Sequence, residues 1–231
     1  KGFYEGEIAE KISSEMKKND GLISKSDLKK YNPVWREPLI SDYKDTKIIT
    51  MGPPSSGGLH VIQMLNILDN FNLKKIKHNS SEYINLLAET MKYAYADRSK
   101  YLGDPDFYNV PIKKVTSKKY ANEISNNIEI GKAASVEDIF PGKFIENESH
   151  ETTHFSVVDK NGNVVSMTYT LNSTFGSKVV IKGTGILMNN EMDDFSAAPG
   201  IPNQFNLLGA EANQIAPYKR PLSSMTPTIV L

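Results

Sequence analysis

Thr152 opens the β-rich part of this 231-residue chain, directly after a long polar stretch. Thr153 to Val158 is rich in β-formers, Asp159-Lys160-Asn161-Gly162 carries an Asn-Gly turn signal, and Asn163 to Thr170 is β-rich again. The pattern predicts a hairpin. A four-residue loop pairs Val158 with Asn163 and sets Thr152 opposite Tyr169. A five-residue loop sets Thr152 opposite Thr170 instead. Directly paired positions lie roughly 5 Å apart, so two threonine hydroxyls come within about one residue of register. Such a pair is commonly a strand hydrogen bond. Alternatively, Thr152 is a nucleophile that uses its own α-amine as base once the chain has been cut before it.

Other side chains invite chemistry less specifically. His60, His78, His150 and His154 show no metal-ligand spacing with one another or with a carboxylate, so no metal is expected. Gly57-Gly58, opening a helix after a strand, could receive an anion. Without a G-x-G-x-x-G or P-loop pattern, a turn that allows close packing accounts for it better, and Gly183-x-Gly185 is equally weak. Glu191, Asp193 and Asp194 cluster in an expected loop. They could do acid–base work or hold a cationic amine, although on composition alone they read as a solvated acidic turn.

These groups need elements to position them. Ile8, Ile12 and Met16 recur at helical spacing within an amphipathic helix over Phe3–Lys18, which Asn19-Asp20-Gly21 stops. A short helix is expected at Ser26–Tyr31, then extended chain at Asn32-Pro33 and Glu37-Pro38, then a strand at Lys47–Met51. The turn cluster Gly52–Gly58 precedes a buried helix, Leu59–Phe71. A long helix over Ser81–Tyr101 is expected to turn Ile84, Leu87, Met91, Ala94 and Tyr95 inward, and Gly103-Asp104-Pro105 ends it. A further helix falls near Ser117–Ile128. Residues 131–150 read as loop or linker. Weak strands follow at Val179–Ile181 and Gly185–Met188, then mostly loop over Asp193–Arg220, then a strand at Thr226–Leu231. Helices with one strand, then a run of strands, make a mixed α and β chain without the alternation of a doubly wound fold.

Composition narrows the function classes. Lys+Arg and Asp+Glu are both 27, so the formal net charge is zero. This argues against a nucleic-acid partner held by phosphate neutralisation and against a polybasic membrane-surface protein. The absence of cysteine removes disulfides, thiolate metal sites and cysteine nucleophiles. No apolar run approaches the roughly 20 residues of a membrane span, and no signal peptide is present within the segment. The chain opens at Lys1 and closes within an expected strand, so it reads as a segment of a longer protein.

Thr152-Thr153-His154-Phe155-Ser156-Val157-Val158-Asp159 resembles the start of the small subunit of γ-glutamyltranspeptidases, an N-terminal-nucleophile (Ntn) hydrolase family. Further blocks agree in the family's order: Pro53-Pro54-Ser55-Ser56-Gly57-Gly58, Tyr95-Ala96-Asp97-Arg98, Asn189-Asn190-Glu191-Met192-Asp193-Asp194-Phe195-Ser196 and Lys219-Arg220-Pro221-Leu222-Ser223-Ser224-Met225. Thr168-Tyr169-Thr170-Leu171-Asn172 also fits, and the likeness covers nearly the whole chain.

The resemblance implies an αββα sandwich, incomplete in this segment. Residues 1–151 would be the C-terminal part of a large subunit, mainly helical. Residues 152–231 would be the β-rich start of a small subunit. It implies autocatalytic cleavage between Glu151 and Thr152, after which Thr152 takes a γ-glutamyl group from glutathione or a related amide and passes it to water, an amino acid or a peptide. No cofactor is implied. Thr170 would support the nucleophile. Asn172, Glu191 and Asp194 would hold the substrate α-ammonium, and Ser223 and Ser224 would donate to its α-carboxylate. Phe205 falls where many bacterial members place a lid tyrosine, and a phenyl ring covers without donating a hydrogen bond. The first residue of the turn cluster, Gly52, stands where many members have a third proline.

The family's carboxylate-binding arginine comes from well upstream and its oxyanion glycine pair from downstream, so neither is expected within these residues. Each missing oxyanion donor typically costs ~10²–10³ in rate. The segment alone is therefore expected to be incomplete, with the remaining parts of both subunits as its partners. The family further implies export to the periplasm or outside the cell. Two alternatives stay open: an inactive fragment or pseudoenzyme serving as a binding or structural module, and a relative using another acyl donor, such as poly-γ-glutamate or a cephalosporin side chain.

Overall fold

The computed structural model describes residues 2–135, 139, 152–198 and 200–231. The chain forms two compact units interleaved along the sequence. Among the described residues, one holds 2–36, 152 and 170–191, and the other holds 37–135, 139, 153–169, 192–198 and 200–231.

The first unit is built on helix α1 (Glu7–Lys18) and the short α2 (Lys25–Lys30). Glu7 and Glu10 in the first turn of α1 and Lys17 and Lys18 in its last complement the helix dipole. Ser24 and Asp27 cap α2 reciprocally. Ala9 and Ile12 are buried on α1, as is Ile181 of the strand pair β5 (Val180–Ile181) and β6 (Ile186–Leu187). Lys11 Nζ donates to the Gly183 carbonyl at 3.3 Å and ties α1 to the turn of that pair.

The second unit contains a three-stranded antiparallel sheet ordered β1 (Leu39–Tyr43), β2 (Thr46–Thr50), β7 (Thr228–Val230). Strand β1 is an addition to the sequence reading, which gave residues 39–46 no element. A two-residue turn, with Lys44 at positive φ, folds it onto β2. Helix α3 (Gly57–Leu68) leaves the sheet and packs with α4 (Ser81–Tyr101) and α6 (Lys118–Ser125) around Ile67, Leu68, Leu86, Ala121, Ile124 and Ile128. A short helix, α5 (Ile112–Val115), adds Val115 to a second cluster with Leu59, Leu102, Val110 and Leu222.

The inner face of α4 differs from expectation. Ile84 is exposed, and the buried positions are Leu86, Glu89, Thr90, Ala94, Asp97 and Arg98. Ala94 is buried and Leu87 packs against the core as expected, but Asp97 and Arg98, which have partners on other elements, share this face, and Ile84 is turned out of it. Gly57 and Gly58 serve packing: a Cβ at Gly57 would overlap Thr226 and the Ser224 carbonyl, and one at Gly58 the Met51 carbonyl. Strands β3 (Thr152–Val158) and β4 (Val164–Thr170) form the expected hairpin. The architecture is thus mixed α and β, as expected. Among the described residues, no helix is long and apolar enough to cross a membrane.

Candidate functional site

The hairpin settles its own register. Asp159 N donates to Asn163 O at 3.0 Å, and His154 Nδ1 lies 2.7 Å from Thr168 Oγ1. Continued along the strands, this pairing sets Thr152 opposite Thr170, the five-residue alternative. The turn explains the choice. The Asp159 carboxylate accepts the amides of Asn161 and Asn163 and the Asn163 side-chain amide, while Gly162 takes positive φ. Those hydrogen bonds hold the Asp159 carboxyl below the usual range. Every residue of β3 is exposed, including Thr152. Glu151 and His150 lie outside the described residues.

Thr170, Asn172 and Glu191 belong to the same compact unit as Thr152. Asn172 is buried at positive φ. Its backbone amide donates to Thr170 Oγ1 at 3.0 Å and its side chain to Asn190 O at 3.4 Å. The short side chain of asparagine tolerates that left-handed backbone better than most residues do. A bound Thr170 hydroxyl and a fixed Asn172 carboxamide follow from one local turn. Glu191 opens a 3-10 turn, Glu191–Asp194, where a plain loop was expected. Burial raises its carboxyl above the usual range.

Asp194, Phe205, Ser223 and Ser224 belong to the second unit. Ser223 is held by backbone: its amide donates to Pro54 O at 2.9 Å, and its carbonyl accepts Ser56 N at 2.8 Å and Ser56 Oγ at 3.0 Å. Ser224 is exposed. Phe205 sits in a tight loop in which Asn203 Oδ1 accepts the amides of Phe205 and Leu207, both at 3.0 Å. Asp193 anchors that loop by accepting Gln204 N at 2.9 Å. Asp193 is thus structurally engaged, not a free solvated carboxylate.

Behind Asp194 and Ser223 runs a buried polar seam between α3 and α4. Arg98 is only 6% exposed and donates Nε to Ser56 Oγ at 3.3 Å. Burial lowers its pKa, while the charge of Asp194 acts in the opposite sense. Asp97 is 5% exposed and accepts Gln63 Nε2 at 2.6 Å and Tyr120 OH at 3.0 Å. Burial outweighs those bonds and raises its carboxyl. His60 lies on the same seam, its ring 5.2 Å from Tyr95 and its Nε2 buried without a partner. Burial, with the nearby Arg98 charge, lowers its pKa to about 3, so the imidazole is neutral.

Sequence reasoning placed Ser56 and Arg98 within matching blocks but gave neither a task. It passed over Asn213 altogether. Asn213 is 4% exposed; its Nδ2 donates to Asp194 O at 2.6 Å, and its Oδ1 accepts Leu222 N at 3.0 Å. No periodic pattern marks an asparagine inside an irregular loop.

The fold is similar to that of members of the Ntn-hydrolase family. Over 99% of this chain it is similar to the crystal structure of cephalosporin acylase from Bacillus halodurans, with TM-score 0.77 and 28% identity, covering 38% of that chain. The Helicobacter pylori gamma-glutamyltranspeptidase structure matches 61% of the chain with TM-score 0.59 and 47% identity, covering 40% of that chain. The model of the gamma-glutamyltranspeptidase family matches residues 1–231, and the chain belongs to that family. It is 55% identical over 229 residues to the glutathione hydrolase proenzyme of Escherichia coli, which covers 99% of this chain and 40% of that protein. The chain thus spans about 40% of the length of such relatives.

Proposed function

We propose that this chain is part of an enzyme that transfers γ-glutamyl groups from glutathione or other γ-glutamyl amides to water, amino acids or peptides. The observation that carries the proposal is the hairpin register opposing Thr152 and Thr170. First, Thr152 Oγ attacks the Glu151 carbonyl. The amide C–N bond breaks, leaving an ester on Oγ and a free α-amine, and water hydrolyses the ester. In the mature enzyme that amine takes the proton from Thr152 Oγ as the oxygen attacks the γ-glutamyl carbonyl. The leaving amine departs with a proton and the γ-glutamyl ester remains. Water or an acceptor amine then displaces the group and restores the hydroxyl.

Thr170 fixes the Thr152 hydroxyl. Asn172, Glu191 and Asp194 receive the donor α-ammonium, and Ser223 and Ser224 donate to its α-carboxylate. Acidic groups stabilise a cation and hydroxyl donors a carboxylate, so this residue set matches an α-amino acid head group. Phe205 covers the pocket without hydrogen-bonding the donor. The remaining parts of the large and small subunits complete the site, and the enzyme works outside the cytoplasm.

The test is the full-length protein and its Thr152→Ala variant, followed by intact mass and by release of product from a γ-glutamyl anilide. Expected are two pieces, the second beginning at Thr152, and loss of both cleavage and turnover in the variant. Turnover by Thr152→Ala at the unmutated rate would overturn the nucleophile assignment.

Similarity to a cephalosporin acylase favours one second reading, a different acyl donor. A panel of γ-glutamyl anilide, poly-γ-glutamate and a glutaryl amide separates the two. Faster turnover of either of the last two would favour the second.

A further inference from the structure

The recognition residues of the second unit sit on two separate carriers. Asp194 ends the 3-10 turn Glu191–Asp194, and Ser223 and Ser224 lie in the stretch leading to β7. Two buried side chains fix these carriers, and the first joins them directly. The first is Asn213, whose one carboxamide donates to Asp194 O at 2.6 Å and accepts Leu222 N at 3.0 Å. Its own backbone is pinned as well: Asn213 O accepts Ser196 N at 2.9 Å, and Asn213 N donates to Ala210 O at 3.1 Å. The second is Ser56, fully buried, whose hydroxyl donates to Ser223 O at 3.0 Å and accepts Arg98 Nε at 3.3 Å.

We infer that Asn213 is a positioning residue which, with Ser56 as a second brace, sets the spacing between the ammonium-binding Asp194 and the carboxylate-binding Ser223 and Ser224, and so determines specificity for donors with a free α-amino acid head. This rests on the γ-glutamyl reading above. A carboxamide suits the task because it offers a donor and an acceptor on one planar group at the end of a short stem. Neither brace touches the donor. Each acts through the backbone that carries the contacting side chain.

Spacing matters only to a ligand that engages both subsites. Glutamate carries the α-ammonium and α-carboxylate. Glutarate lacks the ammonium and is indifferent to their separation. In the full-length enzyme, Asn213→Ala is therefore expected to raise KM for a γ-glutamyl anilide, and the inhibition constant of glutamate, together by about tenfold. Losing two buried hydrogen bonds supports a change of that order. kcat stays within about threefold, and the inhibition constant of glutarate is unchanged.

Ser56→Ala, which keeps the Ser56 N to Ser223 O bond, gives the same split at about threefold. It decides the matter if Asn213→Ala fails to fold. Equal loss of glutamate and glutarate binding, or a fall in kcat with KM unmoved, would make Asn213 merely structural and overturn the inference. An unmutated enzyme that binds glutamate no better than glutarate would overturn the head-group reading itself, and the inference with it.

Discussion

The β3–β4 hairpin and the α3–α4 seam use polar residues in opposite ways. Every residue of β3 is exposed, and Phe155, Val157, Val165, Met167 and Tyr169 present apolar surface to solvent on the two strands. Its order comes mainly from strand pairing and from the Asp159 turn; among its polar side chains, Ser166 Oγ also accepts Thr228 N of β7 at 3.2 Å. In the seam, Ser56, Gln63, Asp97 and Arg98 are buried and bonded across elements far apart in sequence. A polar group there has no water to fall back on, and losing its partner costs the full desolvation penalty. The hairpin is therefore where chemistry can be changed with little effect on stability, and the seam is where a single atom alters the fold.

The largest expected effect is in the seam. Asp97→Ala strands the Gln63 amide and the Tyr120 hydroxyl together, and should lower unfolding free energy by about 3 kcal/mol in denaturant titration. A loss below about 1 kcal/mol would break the contrast. On the hairpin, Thr170→Val is expected to slow cleavage at Glu151–Thr152 and turnover by about 10²-fold, near 2.7 kcal/mol of barrier. Its melting temperature should stay within a few degrees.

A pH-dependent effect follows from His60. Its folded pKa, about 3, lies below the ordinary 6.5, so the unfolded chain binds the proton more readily. Its contribution to stability is full above about pH 6.5 and is lost as pH falls toward 3. Unfolding free energy should decline by at most about 1.4 kcal/mol per pH unit through that window. His60→Phe should flatten the slope, measured as the difference between the two pH profiles. The smallest effect sharpens the comparison from the other side: Val157→Thr on the exposed strand should change stability by no more than ~0.5 kcal/mol.

Legibility divides along the same line. The hairpin could be read directly, because Asn161-Gly162 and the β-formers either side are local signals. Only its loop length stayed open, and the Asp159 side chain decided that. Helices α1 and α4 followed from apolar spacing, and the structure adds the caps of α4 and α6, where Ser80 and Ser117 accept the amides of Tyr83 and Tyr120. The polar part of the inner face of α4 did not follow. Asp97 and Arg98 are buried because Gln63, Tyr120 and Ser56 meet them there, and a pattern that sorts residues by polarity turns such groups outward. Strand β1 was missed because Leu39-Ile40-Ser41-Asp42-Tyr43 lacks clean alternation and takes its place only by pairing with β2. Ser223 and Ser224 were found through a matching block, whereas Asn213 needed the structure. Its two partners lie 19 and 9 residues away, within irregular chain.

Several bonds of the second unit join residues before position 151 to residues after 152. Asp104, fully buried, accepts Arg220 N at 2.8 Å. Ser56 meets Ser223, and β2 pairs with β7. Scission between Glu151 and Thr152 would turn all of them from links within one polymer into links between two. Melting would then release two molecules in place of one, and its midpoint would rise with protein concentration for the cut form but not for an uncut Thr152→Ala chain.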